Sequence, residues 1–369
     1  MRFAAVFLSA MLLCACGQNP AGKPEQAQQS ATPDPNGADS MASNDNATAA
    51  TQATDPQSVT MQAQVVLERL GFGSGIIDGK TGISTENALA GFQEAHDLSK
   101  TGKLDDATRR ALTQWSNIPA TRSVTIPAYW GQESYSKLPK DPAAQANLGR
   151  LGYQSIDERL AERFHTTVDV LKTLNPRTGA PNATPALDRP YFAAGEKVTV
   201  PNIGADWIDA GEVKDRAWLA TLQSLGVGTR QSKAARLVVD KSSGWLKAYD
   251  KADKLIAMFT VTTGSSHDPL PLGNWKVKGV SRNPDFAYNP ELFWDVSDSK
   301  KAQRLPPGPN GPVGVVWIDL NKPHYGIHGT PEPQTIGRAE SHGCVRLTNW
   351  DAARLSLMVD GSTKVLFQA

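Results

Sequence analysis

Cysteine is nearly absent from this 369-residue sequence, which holds only Cys14, Cys16 and Cys344. So few thiols exclude a disulfide-stapled mini-domain and any zinc module built from cysteine clusters. A charge surplus is missing as well. Lys and Arg number 38 against 37 Asp and Glu, a formal net charge of +1, and nucleic-acid binding needs a broad basic excess. Beyond the first 16 residues no apolar run is long enough to span a bilayer, which argues against a polytopic membrane protein. What is there is ample core-forming material: 40% of residues are hydrophobic, and the length suits two or three domains.

The first apolar run, from Phe3 to Leu13, follows the single charge of Arg2 and ends in Leu13-Cys14-Ala15-Cys16-Gly17. A short positive region, an apolar core and small residues at the cut predict a secretory signal over 1–15. It resembles a bacterial lipoprotein signal, which implies lipidation of Cys16, a lipid anchor to a membrane and a periplasmic location. Gly17 and Gln18 lack the acidic residue associated with inner-membrane retention, which points to the outer membrane. Ordinary cleavage without lipid is the competing reading. Residues 17–57 contain no Val, Ile, Leu, Phe, Trp or Tyr, so 16–57 reads as a disordered tether with a reach of roughly 35 Å.

From Ser58 the apolar period becomes helical. Met61, Val65, Val66 and Leu70 share a face that Gly71 ends. Ser84 or Thr85 is the expected cap of a second helix with Ala88, Leu89 and Phe92 inward, and a third runs from Ala107 to Trp115. The unit at 58–116 is therefore a three-helix one. Its Leu70-Gly71-Phe72, Asp78-Gly79, Gly82, Thr85, Phe92-Gln93, Gly102 and Thr108 are similar to the small peptidoglycan-binding domain attached to many wall enzymes. A helical spacer that binds nothing is the alternative.

Residues 117–150 show little periodicity and read as a linker. In 151–203, Ser155 with Glu158 and Thr166 with Asp169 read as capping boxes of two short helices. Asn175-Pro176 ends the second, and a strand follows over 194–201. This order resembles a LysM glycan-binding module, although an opening strand before Ser155 is almost absent; a plain structural connector is the competing reading.

From about Ala235 the period switches to two. Leu237–Asp240, Leu246–Tyr249, Ile256–Val261 and Val313–Leu320 read as strands, Asn349–Val359 as a helix and Lys364–Gln368 as a last strand. Within it, three of the six histidines (His324, His328, His342) lie within nineteen residues, beside the lone Cys344. A thiol near its ordinary pKa is only a few per cent ionised at neutral pH and needs a base. An imidazole can hold an ion pair with the thiolate and later protonate a leaving amine. Gly343 lets the chain turn sharply and aim N–H groups at an oxyanion. A zinc site of His324, His328, His342 and Cys344 would use an i, i+4 pair on a helix, which Pro323 and Gly326 oppose. In papain-like peptidases Cys precedes His, whereas here His328 comes first. A free cysteine in an exported chain asks for a chemical reason, the bland reading being a buried inert thiol.

Ile327-His328-Gly329-Thr330, followed by Ser341-His342-Gly343-Cys344-Val345-Arg346-Leu347, looks like the signature of the YkuD-type L,D-transpeptidases, which cross-link bacterial walls. Pro306 to Gly314 resembles the loop before that histidine strand. The resemblance, over roughly 235–369, implies a mainly β, β-sandwich-like catalytic domain with a C-terminal helix. It implies Cys344 as nucleophile, His328 as base and the Gly329 carbonyl as its orienting partner. Gly343 would serve the oxyanion, and His342, Arg346 and Ser341 would line the substrate site, with a turn-stabilising hydroxyl the favoured alternative for Ser341. The implied partners are peptidoglycan stem peptides and glycan strands, with a wall-anchored protein as another acceptor, and no metal or organic cofactor. Hydrolysis at the same site, or a murein-binding lipoprotein without catalysis, are the other readings.

Overall fold

Asp55 opens the first helix by accepting from Ser58 N–H with its carboxylate, two residues before the expected start. In the computed structural model, residues 55–177, 189–292 and 301–369 are described. The expected signal over 1–15, Cys16 and nearly all of the tether lie outside them. No helix among the described residues is long and apolar enough to cross a membrane. Helix α1 (Pro56–Arg69) is followed by α2 (Ile83–Ala95) and α3 (Asp106–Leu112). Ala88, Leu89 and Phe92 are buried as the pattern predicts. The cap is different: α2 starts after Gly82 with no side-chain cap. The Thr85 hydroxyl is instead drawn inward, bonded to Gln64 Nε2 at 3.0 Å and Lys80 O at 3.2 Å. Gln64 is the reason, because its amide also takes the N–H groups of Asp78 and Gly79 and so fixes the turn before α2.

The segment read as a linker holds a strand, β1 (Thr121–Thr125), which corrects that expectation. It precedes a single-turn helix, α4 (Pro142–Gln145), then α5 (Ile156–Arg163), α6 (Val168–Leu174) and β2 (Lys197–Pro201). Strand β1 pairs antiparallel with β2, Thr121 opposite Pro201, so a strand precedes the helices, and, the single turn of α4 aside, the described elements between 121 and 201 run β–α–α–β. Ser155 caps α5 as expected, while Glu158 accepts from Gln154 N–H rather than closing the box on Ser155. Thr167, not Thr166, caps α6. Thr166 is buried and donates to the Ile77 carbonyl at 2.7 Å, tying this unit to the first.

An unexpected helix, α7 (Arg216–Leu225), leads into the mainly β part. There, β3 (Arg236–Asp240), β4 (Trp245–Tyr249) and β5 (Leu255–Thr260) form a meander, followed by the ten-residue β6 (Gly273–Arg282). A small pair, β7 (Phe286–Tyr288) and β8 (Gln303–Leu305), precedes β9 (Val316–Leu320), β10 (Gly326–His328), β11 (Val345–Arg346), α8 (Asn349–Met358) and β12 (Lys364–Gln368). The sheet is one hydrogen-bonded series, β11-β10-β9-β6-β12-β3-β4-β5, rather than two separate sheets. It changes partners at β6: Gly273–Lys276 pairs with β12, whereas Val277–Arg282 pairs with β9 across a register irregularity. A long strand with a bulge turns a sheet in this way. The core under it is common to both halves, with Leu237, Phe259, Ile318 and Ile327 packed with Ala352 and Leu355 of α8.

Candidate active site

His328 ends a strand that is pinned on both sides. Strand β10 runs parallel to β11, with His328 opposite Arg346, and antiparallel to β9, with His328 opposite Trp317. Residues in register share a face of the sheet, and alternate residues return to it. His328 and Arg346 therefore come to one side, and Cys344 lies two positions before Arg346, in the bend that leads into β11. The charge of Arg346 acts on both titrating groups, as that placement requires.

The imidazole is set by its neighbours. His328 is buried, and its Nδ1 lies 2.7 Å from the Gly329 carbonyl. A carbonyl only accepts, so Nδ1 carries the hydrogen and Nε2 is the basic nitrogen. Trp317 stacks on the ring at 5.5 Å. Burial, then the Arg346 charge, push its pKa down to about 4 against the opposing Gly329 bond. Cys344 is half-buried. Burial raises its thiol, only partly offset by a backbone hydrogen bond from Gly326 and by Arg346. Both shifts run toward the uncharged forms, a thiol and a neutral imidazole.

The turn before Cys344 is held from three directions. Gly343 has φ +97°, and a Cβ there would come within 2.8 Å of the Tyr325 ring, so only glycine fits. Ser341 is buried, and its hydroxyl donates to the Cys344 carbonyl at 2.6 Å; it closes the turn and is not placed to line a substrate site. His324, with φ +66°, lies in a turn, and its carbonyl faces the Cys344 sulfur at 3.8 Å. His342 is half-buried within the same turn. No group of three or more His, Cys, Asp or Glu among the described residues is arranged to hold a metal ion. Two contributors carry no sequence signal of their own: Trp317, legible only as part of a β run, and Asn349, legible only as the start of a helix.

A recessed thiol, a tautomer-fixed imidazole on the neighbouring strand and a glycine turn before the thiol make a site fit for cysteine acyl transfer. Residues 234–366 match the YkuD family model, described as the L,D-transpeptidase catalytic domain. Residues 57–112 match a model described as "Putative peptidoglycan binding domain". The chain thus carries an L,D-transpeptidase catalytic domain preceded by a peptidoglycan-binding domain. It is 26% identical over 208 residues to "Putative L,D-transpeptidase YkuD" of Bacillus licheniformis, covering 56% of this chain and 90% of that protein. It is 49% identical over 57 residues to the protein of the same name from Bacillus subtilis, covering 15% of this chain and 35% of that one. Among solved structures, L,D-transpeptidase 3 from Mycobacterium tuberculosis is similar at 17% identity and a TM-score of 0.31, covering 36% of this chain and 60% of the other.

A depressed imidazole has a consequence for pH. The ring must be neutral to take the thiol proton, so acylation rises as pH climbs through its pKa. We expect kcat/KM for acylation to be level between about pH 6 and 8, where the base is already neutral, and to fall below about pH 5. A midpoint at the ordinary 6.5 instead of about 4 would contradict the buried neutral ring.

Proposed function

We propose that the enzyme takes a peptidoglycan tetrapeptide stem as donor and transfers it to an amine, a second stem or a wall-anchored protein, from the periplasm, lipid-anchored through Cys16. The observation that carries this is the His328 tautomer, with Nδ1 bound to the Gly329 carbonyl and Nε2 left as the basic nitrogen, on a strand paired with the one that follows Cys344. In the first half, Cys344 Sγ attacks the carbonyl carbon of the L-centre of the diamino acid while its proton passes to His328 Nε2. The oxyanion is met by N–H groups of Gly343 and Cys344. The intermediate collapses by breaking the C–N bond to D-Ala, whose amine leaves with the imidazolium proton. In the second half the acceptor amine attacks the thioester, His328 takes its proton, and the thiolate departs and is reprotonated. One amide replaces another, so no outside energy source is required. Arg346 is the partner for a stem carboxylate, since its fork holds two oxygens at once. The β–α–α–β order of 121–201 supports a LysM-like unit that binds glycan strands.

The test is product analysis. Murein incubated with the full chain is digested and its muropeptides are weighed; 3-3 linked dimers or protein-linked stems are expected, with release of D-Ala. Tripeptides alone would make water the acceptor and the enzyme a carboxypeptidase. Unchanged murein would end the catalytic reading.

A further inference from the structure

His328 rests on a support that reaches outside the catalytic domain. Its Nδ1 is held by the Gly329 carbonyl, so whatever fixes Gly329 fixes the tautomer. Gly329 is packed against the side-chain amide of Asn349, the first residue of α8, with no room for a Cβ. Gly314, in the loop before β9, is packed against the same amide and against Gly329. The Asn349 oxygen accepts from Val315 N–H at 3.2 Å, and Gly329 N–H donates to Val316 O at 3.3 Å. Asn349 is therefore the block on which the two backbone segments beside His328 sit, and it is completely buried.

An amide can flip, and three partners here set its sense: Val315 N–H on the oxygen and two acceptors on the nitrogen. Asn349 Nδ2 donates to Pro309 O at 3.0 Å and to Glu162 Oε1 at 2.7 Å. Glu162 belongs to α5, in the β–α–α–β unit, outside the matched catalytic residues 234–366. The two parts are interlocked around it. Asn310 donates to Glu158 Oε1 at 2.7 Å and to Gly152 O at 2.9 Å, while Leu151 and the Pro307–Asn310 backbone exchange hydrogen bonds.

We propose that Glu162 is a positioning residue for His328, acting through the side-chain amide of Asn349. With Glu162 accepting, the amide presents its oxygen to Val315 and a packed face to Gly329, and the Gly329 carbonyl stays aimed at Nδ1. Without it, one of the two Nδ2 hydrogens loses its buried acceptor while Pro309 O keeps the other, so the amide is held by one bond fewer and is free to tilt away from Gly329. Burial lifts the Glu162 carboxyl to about 7, and a carboxyl keeps an accepting oxygen whether ionised or protonated. The proposal rests on His328 being the base. It also makes the accessory unit part of the catalytic apparatus rather than only a wall-binding attachment.

The experiment compares Glu162→Ala, Glu162→Asp and Glu162→Gln in the full chain. A disaccharide tetrapeptide is the donor, and wild-type thioester formation is measured beside them. Glutamine keeps the accepting oxygen at the same reach; aspartate keeps the charge but falls one methylene short. We expect Ala and Asp to lower kcat by about 10- to 100-fold, as a displaced catalytic group does, with KM within about twofold and Gln near wild type. Imidazole nitrogen correlation spectra, assigned with His328→Gln, should show Nδ1–H in the wild type and Gln variants and Nε2–H gaining population in Asp. A folded Asp variant with wild-type kcat and tautomer overturns the proposal, and so does a Gln variant as impaired as Asp. Should Ala fail to fold, the Asp and Gln pair still decides. A wild type that never acylates would refute the function, whereas the tautomer comparison judges the positioning role independently.

Discussion

Cys344→Ala is expected to abolish the acyl adduct, and His328→Gln to slow its formation by about 100- to 10,000-fold, the usual worth of a positioned base. Cys344 is the one free cysteine among the described residues, so the sulfur has no substitute. The two losses should not add. Once the nucleophile is gone the imidazole has no proton to accept, and the double variant should match Cys344→Ala alone. Cys344→Ser is the sharper control: it preserves the turn that Ser341 closes on the Cys344 carbonyl but offers a less acidic, less nucleophilic group to a base already weakened to about 4. It should fold as the wild type does and form no adduct. Intact mass after incubation with stem tetrapeptide reads all of these, and an adduct persisting in Cys344→Ala would remove the nucleophile from the scheme.

The same residues explain what a sequence reader can and cannot see. Cys344, His328 and Gly329 are legible because the chemistry is local: two short segments carry thiol, imidazole and glycine turn in fixed order. Strands β3 and β5 are legible as short apolar runs buried at nearly every position, and β4 by its apolar residues around Lys247. Strand β6 is not, since Val277 is its one buried side chain, and its place is set by partners on both sides. Strand β1 escapes for the same reason: Val124 is the single buried residue in Thr-Arg-Ser-Val-Thr, and its partner lies some 75 residues on. Helix α7 is legible in principle, with Asp215 as cap, Gly226 as stop and Trp218, Leu222 and Leu225 on one face. Glu162 has no local mark at all. In sequence it is a solvent-facing glutamate between Ala161 and Arg163; only the tertiary approach of Asn349 gives it a role.

Arg354→Ala is expected to cost about 3–5 kcal/mol, the penalty for stranding a buried charge. Arg354 is buried on α8, and its Nη1 donates to the Glu68 carbonyl at 2.7 Å and lies 3.4 Å from Glu68 Oε1. Glu68, from α1, is 1% exposed. Burial alone would push its carboxyl up, but the Arg354 charge and His165 outweigh it, so the group sits below its usual range as an anion. His165, from the turn after α5, approaches Glu68 at 3.3 Å and stacks on Trp350 of α8 at 4.7 Å. Removing Arg354 therefore takes the main countercharge from a buried carboxylate, at a place where α1 and the turn after α5 both meet α8. Two controls separate this from a general effect of losing an arginine. Arg304→Ala deletes an exposed partner of Asp285 and should cost less than about 1 kcal/mol. Arg354→Met combined with Glu68→Gln should recover much of the loss, because neither charge is then left alone. Urea unfolding followed by tryptophan fluorescence gives the three values, and an Arg354→Ala midpoint no lower than that of Arg304→Ala would mean the cluster is not what holds the units together. Helix α8 also links this cluster to the site. Arg354 is five residues, about 7.5 Å of rise, from Asn349, so a helix loosened at the cluster should release the amide beneath Gly329, and Arg354→Ala should lose acylation rate before it unfolds.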